Sequence, residues 1–323
     1  MLLRSAPSVA ADRGRPFCGS ARCICASSRR EVLSQGAALT LSLGLASPSR
    51  AAEAGVSELA ELFSASTLGW PGPSFAYQKT LEYPSWLFGE WDASSRLTAF
   101  VAPKGDAFVP PAATAAAAAD QKAGDVRFCC RFYSTLPDSR SNALRVALGS
   151  LPESAVVADR AFNVKSLTEA TLARPGAVAS VEYDPREAPD RLTVLYAPPA
   201  QSKAELYLSA FRSDDTHSGS GAFHTAECIR QVTLGGVGRE TVNDYQIVCR
   251  FEQDQQDANR VLLRQKVAVY LSPYDPLYFS AVNQAVGIYS YDIQLQRVIT
   301  ASPEAGGAPL TCVETPKDVV QCI

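Results

Sequence analysis

Residues 244–251 read Asp-Tyr-Gln-Ile-Val-Cys-Arg-Phe, and residues 289–296 read Tyr-Ser-Tyr-Asp-Ile-Gln-Leu-Gln. In both stretches, large apolar side chains recur at every second position with polar side chains between them. Because successive side chains of a β-strand point to opposite faces, this alternation predicts two strands with one buried and one polar face. Strands of this kind are typical of antiparallel sheets, whereas the strands of parallel βαβ units are apolar almost throughout.

The same strand-like pattern extends along most of the chain on either side of these two stretches. It recurs at residues 87–101, 126–136, 177–183, 192–197, 205–212, 222–234 and 261–271, with turn residues such as Asp184-Pro185 and Ser272-Pro273 between strands. About nine strands in one chain predict an all-β fold, a single closed antiparallel barrel with a side-chain-lined cavity. A few short helices are expected at 56–63, 142–149 and 163–173, and a flexible alanine-rich insertion at 110–120.

The first 52 residues have the composition of a targeting segment. Residues 1–28 hold four arginines and a single acid, Asp12, which is typical of a plastid or mitochondrial transit peptide. Arg29-Arg30, the uncharged stretch 36–45 and small residues near Ala52 then form a secretory signal of twin-arginine type. The two signals predict the chloroplast thylakoid lumen. A membrane anchor is the alternative, but the apolar stretch is much shorter than the roughly 20 residues that span a bilayer.

Charge and hydropathy exclude two broad classes of protein. The 323 residues carry a formal net charge of −3, so there is no basic surface of the kind that binds nucleic acid. No run of eighteen or more apolar residues is present, so no transmembrane segment is expected in the mature chain. The predicted organisation is a presequence over 1–52, a helix and linker over 53–82, the barrel over 83–300 and a cysteine-containing tail over 301–323.

Six cysteines remain after the predicted presequence, and none forms a C-x-x-C motif. Cys312 and Cys322 bracket a short tail, and closing that loop with a disulfide stabilises a protein by roughly 3 kcal/mol on the chain-entropy model. Cys228 and Cys249 lie on successive predicted strands and are the second candidate pair. The alternative for all of these residues is that they are small buried hydrophobic side chains.

Two resemblances support the barrel. Residues 83–91, Tyr-Pro-Ser-Trp-Leu-Phe-Gly-Glu-Trp, contain a G-x-W opening that resembles the lipocalins and the wider calycin group. That resemblance implies that Trp91 closes one end of the barrel, packed against an arginine of the last strand, for which Arg297 is the candidate. Residues 157–163, 226–232 and 269–276 look like an uncharacterised domain family of cyanobacteria and chloroplasts, a likeness that covers roughly residues 83–298. It implies this fold and a plastid location, and it assigns no activity.

Sequence motifs for common cofactors and catalytic centres are missing. There is no G-x-S-x-G elbow, G-x-G-x-x-G loop or Walker lysine, so no catalytic residue and no cofactor are predicted. One cluster joins histidine to carboxylates and could in principle hold zinc or copper: Asp214, Asp215, His217, His224 and Glu227. Because most of it lies in a Ser/Gly-rich loop, solvated polar residues are the preferred interpretation, and no metal is predicted.

The candidate ligand-binding residues are two arginines, Arg160 and Arg230, and a group of tyrosines. Arg160 follows Asp159 and precedes Phe162, and two interpretations stay open: an ion pair that locks a loop over the barrel end, or a site for a ligand's carboxylate or phosphate. Arg230 alternates with Cys228, so we expect it inside the barrel. Tyrosines near the C-terminus line a cavity or fill a core, with three as candidates: Tyr270, Tyr289 and Tyr291.

The leading hypothesis is a lumenal lipocalin-like protein that binds a small apolar or amphipathic ligand (a lipid, pigment or quinone-like molecule) without catalysis. One alternative is an interaction protein with a packed barrel that assists photosystem assembly. Another is a lipid- or pigment-modifying calycin enzyme. That enzyme would need a carboxylate with a raised pKa in the cavity, with Asp159, Glu227 and Asp244 as candidates.

Overall fold

The computed structural model describes residues 57–71, 81–136, 140–200, 202–214, 216, 221–235, 240–299 and 311–322. The predicted signals over 1–52 therefore lie outside the described residues. Within the described part, no helix is both long and apolar enough to cross a membrane.

Ten antiparallel strands form one continuous sheet, in the order β3-β2-β1-β10-β9-β8-β7-β6-β5-β4. Their bounds are β1 Gly89–Val101, β2 Val126–Thr135, β3 Ala155–Ala158, β4 Val178–Tyr183, β5 Arg191–Tyr196, β6 Lys203–Ser213, β7 Ala222–Leu234, β8 Glu240–Gln253, β9 Arg260–Tyr270 and β10 Gly287–Arg297. Every neighbouring pair except β1–β10 is consecutive in the chain, and that one pair joins the first long strand to the last. The predicted all-β, antiparallel, barrel-like fold is confirmed.

Helices are few and short, as the sequence predicts. They are α1 Glu58–Ser64, α2 Pro111–Ala123, α3 Arg140–Ala147, α4 Arg160–Thr171 and α5 Tyr278–Ala281. The expectation of a flexible insertion at 110–120 is wrong, because these residues form most of α2. Alanine has the highest helix propensity of all residues, and Pro111 occupies the first turn, where proline is tolerated.

Both faces of the central strands are covered. Helix α1 and the residues that follow it pack Leu59, Leu68 and Trp70 onto one face of the sheet, against a cluster that includes Ala226 and Val248. The opposite face lies on the inside of the curl. Aromatic contacts identify it, because Tyr83 touches both Phe132 of β2 and Phe223 of β7, at ring-centroid distances of 5.0 and 5.9 Å. Strands five positions apart in the sheet share a contact only across its concave side.

The curl stops short of closure by strand pairing. Strand β3 pairs only with the segment Phe132–Thr135, so the first half of β2 is an open edge, and β4 is the other edge. Helix α4 lies between these two edges. The expectation of a fully strand-paired barrel is therefore wrong, because a helix fills the last position.

Side chains of α4 supply hydrogen bonds that a further strand would otherwise make. Asn163 accepts from the Arg131 backbone N–H through Oδ1 at 2.7 Å and donates to the Arg131 carbonyl through Nδ2 at 3.1 Å. Ser166 Oγ accepts from the Cys129 N–H at 3.0 Å. On the opposite edge, Glu169 Oε1 accepts from the Val178 N–H at 3.3 Å. These contacts satisfy edge groups that would otherwise template pairing with another chain.

One end of the curl is closed around Trp91, which is fully buried. Arg297 is its register partner on β10, and the guanidinium carbon lies 4.3 Å from the centre of the indole ring. The indole Nε1–H donates to the Leu87 carbonyl at 2.8 Å. Arg297 donates to the carbonyls of Trp86 and Phe88, so one cation fastens the 3-10 turn at 85–87 to the last strand. The sequence expectation named this pair, and the two side chains are in contact.

Glycine is required at the first position of the G-x-W stretch for two reasons. Gly89 has φ of +121°, a conformation that L side chains rarely adopt. A Cβ at this position would meet Thr311 Cγ2 at 2.5 Å and Arg297 Nη1 at 3.2 Å. The glycine thereby lets Arg297 and the C-terminal tail approach β1 closely.

The tail forms a small hairpin of β11 (Cys312–Glu314) and β12 (Val320–Cys322). Cys312 and Cys322 are register partners and form a disulfide bond. Val313 is buried in the same cluster as Trp91, so the hairpin covers the closed end of the barrel.

We expect the contact between Trp91 and Arg297 to be a principal source of stability at this end. Trp91→Ala should reduce the free energy of unfolding by about 3–5 kcal/mol, because it empties a fully buried site. In a double-mutant cycle, Trp91→Phe and Arg297→Lys should couple by more than about 0.5 kcal/mol, since the cation packs on the ring. Guanidinium denaturation gives the free energy of unfolding of the four proteins in the cycle: the wild type, the two single variants and the double variant.

The exposed Arg264 of β9 offers a matched control, because Arg264→Lys removes a guanidinium away from the indole. Its effect should add to that of Trp91→Phe without coupling. Additive effects of Trp91→Phe and Arg297→Lys would contradict the expectation.

Candidate functional site: a buried ion pair in the barrel interior

One row of side chains crosses the concave face at mid-height. Five residues are successive register partners from β6 to β10: Phe211, Glu227, Ile247, Val267 and Tyr289. Four of them are apolar or aromatic, and Glu227 is the charged exception. A carboxylate on an apolar inner wall needs a partner, because burying an unpaired charge costs several kcal/mol.

Arg160 is the charged partner of Glu227, and it lies on helix α4 between the two sheet edges. It is the first residue of α4, whose N-cap is Asp159, and the Asp159 carboxylate accepts from the Phe162 N–H at 3.1 Å. Arg160 Nη2 lies 2.5 Å from Glu227 Oε1, and both side chains are largely buried, at 19% and 15% exposed. The guanidinium carbon is also 6.0 Å from the centre of the Phe211 ring. The helix that closes the sheet therefore also carries the cation of the interior.

Neighbouring tyrosines make this a cluster of hydrogen-bond donors. The pKa of both Tyr83 and Tyr245 is raised, mainly by burial and to a smaller extent by the Glu227 charge. The two phenols therefore stay protonated throughout the physiological range. Burial disfavours the charged form of Arg160, but the Glu227 carboxylate outweighs it and raises the pKa of the guanidinium. The interior thus offers N–H and O–H groups beside a single carboxylate that is already paired.

Of the predicted tyrosines, Tyr289 and Tyr291 lie on the concave face. Tyr289 is buried and packs against Phe100 at a ring distance of 4.7 Å, in a cluster with Ala117 of α2. Tyr291 is half-buried. Burial raises the pKa of each to about 12. Tyr289 therefore fills core space beneath α2, while Tyr291 lines the inner wall.

Arg230 and Tyr270 lie on the outer face, so the expected interior position of Arg230 is wrong. Arg230 is three residues from Glu227 on β7, and an odd separation places the two on opposite faces of a strand. Its guanidinium forms two hydrogen bonds of 2.8 Å with the Asp244 carboxylate and is half exposed. Tyr270 is buried against Trp70 and donates to Gln246 Oε1 at 3.0 Å.

The predicted disulfide between Cys228 and Cys249 is also wrong. Cys228 faces Gln246 across the β7–β8 pair, and Cys249 faces Thr225. The two cysteines therefore project from opposite faces of the sheet, and both are free and buried. Burial raises the pKa of each thiol to about 12, which makes them inert hydrophobic side chains.

The histidine-carboxylate cluster does not assemble. His224 Nδ1 lies 2.7 Å from Asp214 Oδ2 on the outer face, whereas Glu227 faces inward; Asp215 and His217 lie outside the described residues. Among the residues that the structure describes, no group of three or more His, Cys, Asp or Glu side chains is placed to hold a metal.

Sequence reasoning missed Tyr83 and Tyr245 as members of the site. Tyr83 precedes the first strand, where no periodic pattern indicates a face, and it enters the interior through an isolated bridge to Val156. For Tyr245 a signal was present, because it alternates with Ile247 and Cys249 and so had to share their face.

The fold and the site together define a curled antiparallel β-barrel, closed by a helix, with a buried ion pair in its interior. A family described as "Domain of unknown function (DUF6816)" matches residues 76–299, and the chain belongs to this family. The matched region contains all ten strands of the sheet and helix α4. Comparison with curated proteins found no match, and neither did comparison with solved structures.

Breaking the interior ion pair should cost more than breaking an exposed one. Arg160→Met or Glu227→Leu alone should lower the free energy of unfolding by about 2–4 kcal/mol, because each leaves an uncompensated charge among apolar side chains. The double variant should recover most of that loss. Arg145 and Glu153, 2.8 Å apart and about half exposed, form a matched control for which Arg145→Met should cost less than about 1 kcal/mol. Strictly additive losses for the interior pair would contradict this prediction.

Proposed function

We propose that the protein binds a small amphipathic molecule, such as a lipid or a quinone-like compound, on the concave side of the sheet and does not transform it. The observation that carries the proposal is the buried Arg160–Glu227 pair on a largely apolar inner wall. Ligand sites are mostly apolar and contain a few convergent polar groups that orient the ligand. The barrel-like fold is compatible with ligand binding.

Half-buried side chains on the inner wall support the proposal, because they keep surface that a ligand can contact. Ile247, Leu263 and Val267 point to the concave side, and each is only half-buried. Tyr83 and Tyr245 also keep accessible surface although burial raises the pKa of both. These half-buried side chains leave surface on the concave side that a ligand can contact.

The polar groups favour a ligand that accepts hydrogen bonds. A guanidinium has five N–H donors, more than the bond from Arg160 to Glu227 uses. The protonated phenols of Tyr83 and Tyr245 are further donors. Carbonyl or ester oxygens therefore suit this site, with the apolar body of the ligand against Ile247 and its neighbours. An amine would meet Arg160 and be repelled.

The three acids considered for catalysis support binding rather than reaction. Glu227 is paired with Arg160, and Asp244 is held by Arg230 on the outer face. Burial raises the pKa of Asp159, as a catalytic acid would need, but its carboxylate caps helix α4. A calycin-type enzyme would need one of them aimed at the ligand with its proton available.

A second candidate function is assembly of photosystem subunits, and one observation favours it. Helix α3 and its connection to β3 expose large apolar side chains that no described element covers: Leu144, Val146, Leu148 and Leu151. Exposed apolar patches often mark protein interaction sites.

We propose that the protein acts in the chloroplast thylakoid lumen, because two targeting signals follow each other over residues 1–52. We expect the mature chain to begin between Ala51 and Gly55, where small residues follow the apolar stretch. N-terminal sequencing of protein from isolated plastids measures this directly. A mature chain that retains residues 39–45 would contradict both the processing and the location.

Binding is testable with N-phenyl-1-naphthylamine, an uncharged fluorophore that brightens in apolar surroundings. One equivalent should bind the native protein, and Ile247→Trp should weaken binding by about tenfold or more, because the larger side chain occupies the inner wall. Gln294→Trp is a matched control, since Gln294 is exposed on the outer face of β10. Mass spectrometry of an organic extract of the native protein would identify a natural ligand. Absence of probe binding by the wild-type protein would overturn the proposal.

A further inference from the structure

The loop that joins β9 to β10, residues 271–286, has an unusual composition. It reads Leu-Ser-Pro-Tyr-Asp-Pro-Leu-Tyr-Phe-Ser-Ala-Val-Asn-Gln-Ala-Val and contains no lysine or arginine. Its single acid, Asp275, is engaged within the loop, because Oδ1 accepts from the Leu277 N–H at 2.8 Å. We call this segment the β9–β10 loop. It is nearly uncharged in a chain of which 20% is charged.

Large apolar side chains project outward from the β9–β10 loop. Tyr274 is 90% exposed, Phe279 85%, Val282 69% and Leu277 38%. Four such residues within nine positions form a compact protrusion. Single exposed apolar residues are common on soluble proteins, whereas a contiguous group marks an interaction surface.

The loop holds these side chains outward by a fixed backbone. Asp275 N donates to the Ser272 carbonyl, and Tyr278 N donates to the Asp275 carbonyl. Ala281 is buried, and Ala285 N donates to the Leu68 carbonyl at 2.8 Å. Backbone groups paired within the protein are what an element needs if it is to enter an apolar phase.

Val282 is the C-cap residue of α5. Its φ of 52° and ψ of 50° place a β-branched residue in the left-handed region, which is a strained conformation for that side chain. Val282 is 69% exposed, so it adds an apolar side chain to the surface of the loop.

We propose that the β9–β10 loop docks the protein on an uncharged lipid surface, with Tyr274 and Phe279 inserted at the interface. Tyrosine and other amphipathic aromatic side chains are favoured where apolar and wet regions meet. Among the described residues, Arg230 on the neighbouring outer face is paired with Asp244, and the loop itself has no lysine or arginine that would favour anionic lipids.

Area distinguishes a lipid surface from a second protein. A buried Tyr or Phe covers roughly 150–250 Å². Two aromatic side chains and two aliphatic neighbours therefore offer less than the roughly 800 Å² per partner that a stable protein interface buries. Reversible insertion into a bilayer has no such minimum, since each apolar side chain contributes on its own.

The position of the loop connects docking to ligand supply, a role that rests on the function proposed above. The loop lies at the end of the barrel opposite Trp91, beside Val269 and Gly287, which pair where β9 ends and β10 begins. A lipid or quinone-like ligand resides in membranes, so docking by this end would present the interior to the source of the ligand.

The test is co-sedimentation of the folded protein with vesicles of phosphatidylcholine. The wild-type protein should bind. The double variant Tyr274→Ser/Phe279→Ser should lose about tenfold or more in vesicle affinity, because two inserted aromatic side chains are lost. Binding should be insensitive to added phosphatidylglycerol and to salt, since no cation takes part.

Two further variants separate this proposal from others. Leu148→Ser/Leu151→Ser removes equally exposed apolar side chains far from the loop and should leave vesicle binding unchanged. Ile247→Trp should keep vesicle binding while losing the fluorescent probe, so failure of docking and failure of ligand binding give different results. Docking is overturned by absence of vesicle binding, by full binding of the loop variant, or by dependence on anionic lipid. Self-association that the loop variant abolishes would also overturn it.

Discussion

The structure depends on how the two open edges of its curled sheet are satisfied. Unpaired backbone N–H and C=O groups at an edge invite pairing with another chain, and a ten-stranded antiparallel sheet removes them by closing on itself or by covering them. Here α4 covers them with side chains. The Asn163 amide exchanges two hydrogen bonds with the Arg131 backbone as a neighbouring strand would, while Glu169 reaches the opposite edge.

This closure also determines the chemistry of the interior. Two adjacent residues at the start of α4 have separate tasks: Asp159 caps the helix, and Arg160 enters the barrel to meet Glu227. Because a helix is wider than a strand, it holds the two sheet edges apart. On the inner wall, Ile247 of β8 and Leu263 and Val267 of β9 keep accessible surface. Closure by a helix and an accessible interior therefore have one structural cause.

Much of the sheet was predictable from alternation, and the errors share a physical reason. Period-two patterning shows which residues share a face but not which face is inside, unless the other face is plainly polar. On β7 both faces are buried, since α1 and Trp70 cover the outer one, so Arg230 could not be placed from its neighbours. Cys228 and Cys249 failed as a pair for the same reason. The alanine run was misjudged because low complexity and high helix propensity look alike in composition.

The two ends of the barrel are built from different side chains. At one end, the Gly89 backbone admits the Arg297 guanidinium and the tail beside a fully buried indole. At the other end, α2 packs on the inner wall through Ala117, which is 1% exposed in a cluster with Leu97 and Tyr289. The uncharged β9–β10 loop projects at the α2 end, because Val101 at the end of β1 pairs with Ile288 at the start of β10. The two ends therefore differ in what their surfaces offer, a disulfide-bonded hairpin at the Trp91 end and exposed apolar side chains at the other.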